Sequence, residues 1–178
     1  MKGSKVASRY AQALLDLAIE QKSLDKVNAD MVELTQVCAE SKDLTNLLKS
    51  PIVDSKKKMD VLNSLFAKNM DKMSIGFMSL IVKHSRENLL QEIASSFTSL
   101  YKVNKNIIDV YITSAVPLEA SVKDKIVQKI KTKFKGDVVL IEKIDAKLIG
   151  GFVVKFDDKQ LDASIASQLT NLKNLLLN

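Results

Sequence analysis

Between Ser4 and about Asn106, apolar side chains return every third or fourth position, the spacing of one face of a helix. The pattern predicts helices over Lys5–Gln21, Leu24–Glu40, Leu44–Ser50, Ser55–Asn69, Lys72–Ser85 and Leu89–Val103. Polar punctuation separates them. Ser23 precedes the second, Ser41 to Asp43 divide the second from the third, and Pro51 stops the third. Asp54 and Asp71 stand where an N-cap would satisfy the first free N–H groups of the fourth and fifth. At Ile107 the period drops to two: in "IIDVYITSA", Ile108, Val110 and Ile112 fall on one face, and Ile107, Asp109, Tyr111 and Thr113 on the other. Beyond Pro117 an amphipathic helix carries Val122, Ile126, Val127 and Ile130 and closes at Gly136. "DVVLIEKI" and "FVVKF" read as two further strands, and Ala163 to Leu177 as a last helix with Ile165, Leu169, Leu172, Leu175 and Leu176 at helical spacing. The expected fold is mainly α: a six-helix bundle over residues 1–105, then a small α/β domain over residues 106–178. That domain has the order β-α-β-β-α, with room for a fourth short strand.

Two of the helices carry more apolar surface than the others. The first is polar along one line only, Lys5, Arg9, Gln12, Asp16 and Glu20. The fifth has a small or polar line of Lys72, Gly76, Ser79, Lys83 and Arg86, surrounded by Met73, Ile75, Phe77, Met78, Leu80, Ile81 and Val82. Helices apolar over so much of their circumference either sit centrally or present a surplus face to a partner, and the spacing leaves both readings open.

Composition sharpens the fold more than the function. Of 178 residues, 46% are hydrophobic but only 5% aromatic, with no Trp, so the core is built from aliphatic side chains, the palette of packed helices. A net charge of +6 admits nucleic acid or an anionic surface as partners, and a basic nucleic-acid-binding protein is the alternative reading. The lysines are spread among Asp and Glu, however. The one dense run, Lys56-Lys57-Lys58, reads as a solvated helix face, and no aromatic stacking motif accompanies it. The single cysteine, Cys38, excludes an intramolecular disulfide and reads as a buried small hydrophobe in a reducing compartment. The first apolar section is broken by Arg9, Gln12 and Asp16, unlike a secretory leader, and no run approaches the roughly 18 apolar residues of a membrane span.

The stretch with most candidate chemistry is "LIGGFVVKFDDKQLDASI", Leu148 to Ile165. A phosphate loop follows a strand and opens a helix, but Gly150 and Gly151 precede a strand and lack the spacing of a nucleotide fingerprint. They read as a bulge or close approach at a strand entry. Asp157 and Asp158 occupy a hairpin-turn position, where nothing would split two carboxyl pKa values into an acid and a base, which weighs against a small hydrolase or transferase. Asp162 and Ser164 stand where either could cap the last helix. The single histidine, His84, has no second one for a metal pair or a triad and falls in the last turn of the fifth helix. No catalytic, metal or cofactor site is expected.

The succession "VASRYAQALLDLAIE", a helical first half, "VYITSAVPL" and "IDAKLIGGFVVKFDDKQLDASIASQLTNLKNLL" resembles, over the whole chain, the delta subunits of bacterial F-type ATP synthases and their mitochondrial homologues, the oligomycin sensitivity conferring proteins. The most specific part is the hydrophobe-x-Gly-Gly strand followed by x-x-x-Leu-Asp-x-Ser and a Leu-rich helix; Asp157-Asp158 replace a Gly-containing turn common in relatives. The basic balance is more like the mitochondrial relatives, whereas a start at Met1 without an Arg/Ser-rich transit segment favours a bacterial source. The resemblance implies a non-catalytic stator part, one copy per complex, peripheral on the cytoplasmic face of the bacterial inner membrane. Its implied partners are the alpha and beta subunits of the head and the b subunits of the stalk, with no nucleic acid and no membrane contact except through the complex. It implies that residues 1–105 hold an amphipathic N-terminal segment of an alpha subunit and that residues 106–178 meet the b subunits. Tyr10, Ala13 and Leu17 on the first helix, and Phe77, Leu80 and His84 on the fifth, fall at i, i+3 and i+7 and are the expected walls of that groove.

Overall fold

The computed structural model describes residues 5–115, 117, 119–133, 136–145, 148, 150–156, 159–165 and 167. They divide into two compact units, Met1–Tyr101 and Lys102–Asn178. Helices α1 (Lys5–Glu20), α2 (Leu24–Glu40), α3 (Lys42–Lys49), α4 (Ser55–Phe66), α5 (Lys72–Lys83) and α6 (Leu90–Asn104) come first, with a 3-10 turn at Glu87–Leu89 leading into α6. Strand β1 (Ile107–Ser114), helix α7 (Ala120–Lys133) and strands β2 (Asp137–Ile144), β3 (Gly151–Phe156) and β4 (Lys159–Ser164) follow. The protein is therefore mainly helical with a small mixed sheet.

The helix starts have visible causes. Ser41 Oγ accepts from Leu44 N–H, Asp54 from Lys56 N–H and Asp71 from Met73 N–H, each satisfying a donor that the first helical turn leaves free. Ser23 makes no such side-chain bond. The ends differ from the sequence expectation at α1 and α5, where the periodicity runs on to Gln21 and Ser85. Lys22 and Ser85 both turn into the left-handed region at φ 54°. Ser23 N–H then reaches back to the Ala18 carbonyl and Arg86 N–H to that of Ile81, closing the helices with non-glycine Schellman motifs.

The helical unit is organised around α2, which packs on α1, α3 and α5. Leu14, Met31, Leu34, Leu62, Phe66, Met78, Ile81, Leu90, Ile93 and Phe97 are fully buried in its core. Cys38 is buried there too, and burial pushes its thiol up from the ordinary range. The triple-lysine run is only partly solvated: Lys56 and Lys57 are exposed, but Lys58 is 2% exposed and bonds to Glu87 and to the Leu48 and Ser50 carbonyls. The reason is periodicity, because Lys58 shares the buried face of α4 with Leu62 and Phe66.

In the second unit the sheet order is β2-β1-β3-β4, with β1 parallel to β2 and antiparallel to β3, and β3 antiparallel to β4. The parallel pair is joined through α7, whose Ile126 and Ile130 bury Val110, Ile112 and Val154. Gly136 leads into β2 because the Asn106 carbonyl oxygen stands where a Cβ would need room. The expected order β-α-β-β-α is corrected by β4, which takes up Ala163 and Ser164 from the expected last helix. Most of the remaining expected helix, residues 168–177, lies outside the described residues, as do Asp157 and Asp158, between paired Phe156 and Lys159.

Candidate partner-binding groove

Two contacts fix how α1 and α5 run. The Arg86 guanidinium lies over the Tyr10 ring, 6.0 Å from its centroid, and the Ser23 hydroxyl meets the Met73 sulfur at 3.8 Å. Tyr10 and Ser23 are thirteen residues apart, and so are Met73 and Arg86, so α1 and α5 are antiparallel and tied at both ends. Both pack on α2. The register sets Leu17 about level with Leu80, and Ala13 with His84.

Both helices keep apolar surface that the core does not use. On α1 the core takes Ala7, Ala11, Leu14, Leu15 and Ala18. Tyr10 is half-buried, Ala13 is exposed and Leu17 is 40% exposed, and all three lie on the flank marked by the Arg86 contact. On α5 the core takes Ser74, Met78, Ile81 and Val82. Phe77 is half-buried, Leu80 is 46% exposed and His84 is exposed at the helix cap, one position past α5. These three share the flank of Met73, whose sulfur meets the α1–α2 junction. Tyr10, Ala13 and Leu17 therefore share one flank of α1, and Phe77, Leu80 and His84 one flank of α5. Sequence reasoning did not single out Met73 and Arg86, which make the two contacts; their signal was the i−4 step from Phe77 and the aromatic–cation pairing with Tyr10.

The start of α5 is pinned by a carboxylate from α2. Asp30 in α2 is buried, and its Oδ2 accepts from Asp71 N–H at 3.0 Å and from the Ser74 hydroxyl. The N-terminus of α5 thus holds two carboxylates, its own cap and one from α2.

The C-terminal candidates form no reactive site among the described residues. Gly151, at φ 79°, opens β3 opposite Ser164, and the Gly150 carbonyl accepts from Ile165 N–H. Asp162 accepts from Ser164 N–H and the Ser167 hydroxyl; hydrogen bonding by the Ser164 side chain first, then by the Ser164 N–H and the Ser167 hydroxyl, holds its carboxyl below the usual range. Ser164 Oγ in turn accepts from Ser167 N–H at 3.3 Å. Among the described residues no group of three His, Cys, Asp or Glu could hold a metal ion, and no helix is long and apolar enough to cross a membrane.

An ATP synthase subunit delta of Cytophaga hutchinsonii is 38% identical over 98% of this chain and 95% of its own length. The chloroplastic ATP synthase subunit delta of Ochrosphaera neapolitana is 35% identical over 99% of both. The fold matches a chain in the Toxoplasma gondii mitochondrial ATP synthase hexamer with a TM-score of 0.75, covering 98% of this chain and 99% of that one at 22% identity. Residues 6–176 match the family described as ATP synthase delta (OSCP) subunit, and the chain belongs to that family.

Proposed function

We propose that this protein is the stator connector of an F-type ATP synthase, holding the catalytic head against the peripheral stalk so that proton flow is coupled to ATP synthesis. The helical unit captures an amphipathic N-terminal helix of an alpha subunit at the top of the alpha–beta head. The C-terminal unit meets the b subunits. The protein itself carries out no chemistry and sits peripherally, through the complex, on the cytoplasmic face of the bacterial inner membrane. The observation that carries the reading is the apolar surface that α1 and α5 keep outside the core, with Ala13, Leu17 and Leu80 exposed, in a chain of this family. An apolar helix face laid there would remove those side chains from water, and the aromatic Tyr10 and Phe77 beside them supply larger contact area.

The test is calorimetric titration of the full-length chain with a synthetic peptide of the cognate alpha subunit's N-terminal segment. Ala13→Asp is expected to weaken binding at least about tenfold, because a docked helix would strip water from the new carboxylate. Its circular dichroism should match the wild type, since Ala13 lies outside the core. Equal affinity would refute the placement of the groove, and global unfolding would assign Ala13 to the core.

A further inference from the structure

An arginine presents its N–H donors in a planar fork that matches a carboxylate, so one held in place without a carboxylate keeps that capacity unused. Arg86 is held. Its backbone N–H closes α5 on the Ile81 carbonyl, and its guanidinium lies over the Tyr10 ring, on the flank of α1 that also carries Ala13 and Leu17. Yet the residue is exposed, and among the described residues no carboxylate pairs with it. Of the carboxylates close along the chain, Glu87 is buried against Lys58, Asp16 accepts from Gln12, and Glu92 makes its contacts elsewhere. The charges beside Arg86 on these two helices are exposed Lys5, Arg9 and Lys83, all of its own sign. The opposite end is mixed, with exposed Glu20, Lys22 and Lys72 and the capping carboxylate of Asp71. Only the Tyr10 end therefore carries charge of one sign.

We propose that Arg86, steadied on Tyr10, is the specificity-determining anchor of the surface on α1 and α5 and takes a carboxylate from the helix that docks there. The inference rests on the reading of that surface as the seat of an alpha-subunit helix, and it adds what the occupant carries. Its apolar face covers Leu17 and Leu80, and an Asp or Glu on its flank lies beside Tyr10. Any amphipathic helix could make the apolar contact, whereas a fork-to-carboxylate pair sets the direction and register in which the helix lies. Docking also takes water from around the pair, which strengthens it.

The experiment is titration of the full-length chain with the alpha N-terminal peptide, run as a double-mutant cycle. Arg86→Gln should weaken binding at least about tenfold, and Arg86→Lys, which keeps the charge but not the fork, should lose less. The peptide's carboxylates are then changed to their amides one at a time. One amide peptide should bind wild type about as weakly as the native peptide binds Arg86→Gln, with little further loss when both changes are combined. The free variant should melt within about 4 °C of wild type, since Arg86 is exposed. A larger drop in Tm, with the same loss for every peptide, would assign Arg86 to the fold and overturn the inference. Unchanged affinity of Arg86→Gln, or a cognate segment with no carboxylate that couples to it, would overturn it directly. If Ala13→Asp weakens binding while Arg86→Gln does not, the docking surface stands and the role of Arg86 falls. If the wild-type chain fails to take the peptide, both readings fall together.

Discussion

The ammonium of Lys58 lies 2.6 Å from Glu87 Oε1 and 2.6 Å from the Ser50 carbonyl, with the Leu48 carbonyl at 3.3 Å. A lysine buried this deeply is tolerable only because all three donors have acceptors and the charge has a counter-ion. Glu87 is less well served, since its Oε2 is buried without a hydrogen-bond partner. Lys58→Met would strand that carboxylate, and the expected loss is about 3–5 kcal/mol by urea unfolding. Lys56→Met and Lys57→Met, on the exposed side of the same run, should stay within about 0.5 kcal/mol of wild type. Pairing Lys58→Met with Glu87→Leu should restore most of the stability, because no charge is then left buried alone. Equal effects for the three lysines would contradict the burial of Lys58. Reading "KKK" as one solvated patch treats neighbours in sequence as neighbours in space. On α4 they point a hundred degrees apart, and the step of four from Lys58 to Leu62 and again to Phe66 already put it on the buried face.

At the scale of elements, what could be read was whatever is encoded within a turn or two of itself. Asp54 and Asp71 as caps, the period change at Ile107 and the α7 stripe through Ile126 and Ile130 are all local signals, and the structure has each of them. The stops of α1 and α5 were not legible, because the usual signal is a glycine and here Lys22 and Ser85 adopt the left-handed turn. Strand β4 was obscured by its polar sequence "KQLDAS", which has little strand propensity of its own and is held by pairing to β3. Asp30 was equally invisible, for its partners lie 41 and 44 residues away. Its position under α5 makes a prediction at this scale. Asp30→Ala should cost about 2–3 kcal/mol, because Ser74 and the Asp71 N–H lose a charged acceptor in a buried place. The loss should appear as faster amide exchange in the first turn of α5, ahead of the rest of the unit. Uniform acceleration across all helices would mean that Asp30 supports the unit globally and does not pin that end.

The whole molecule divides where one period of side chains gives way to the other. Among the described residues the core of the first unit uses nothing after Tyr101, and that of the second nothing before Ile108. All six residues expected to line the groove, together with Met73 and Arg86, belong to the first unit. This legibility has a physical basis, since each core is patterned by its own elements, whereas the register of α1 against α5, 52 residues apart, is set by the Tyr10–Arg86 and Ser23–Met73 contacts. If the cores are independent, a fragment of residues 1–105 should unfold in one cooperative transition and bind the alpha N-terminal peptide as the full chain does, within about threefold, or roughly 0.7 kcal/mol. Limited proteolysis of the full chain should cut first between Lys102 and Asn106, where the exposed Val103 ends the last helix of the first unit. A fragment that melts without cooperativity would mean that the second unit completes the first. A fragment that melts cooperatively yet loses the peptide would move part of the binding surface beyond residue 105, and α1 and α5 would no longer be sufficient walls.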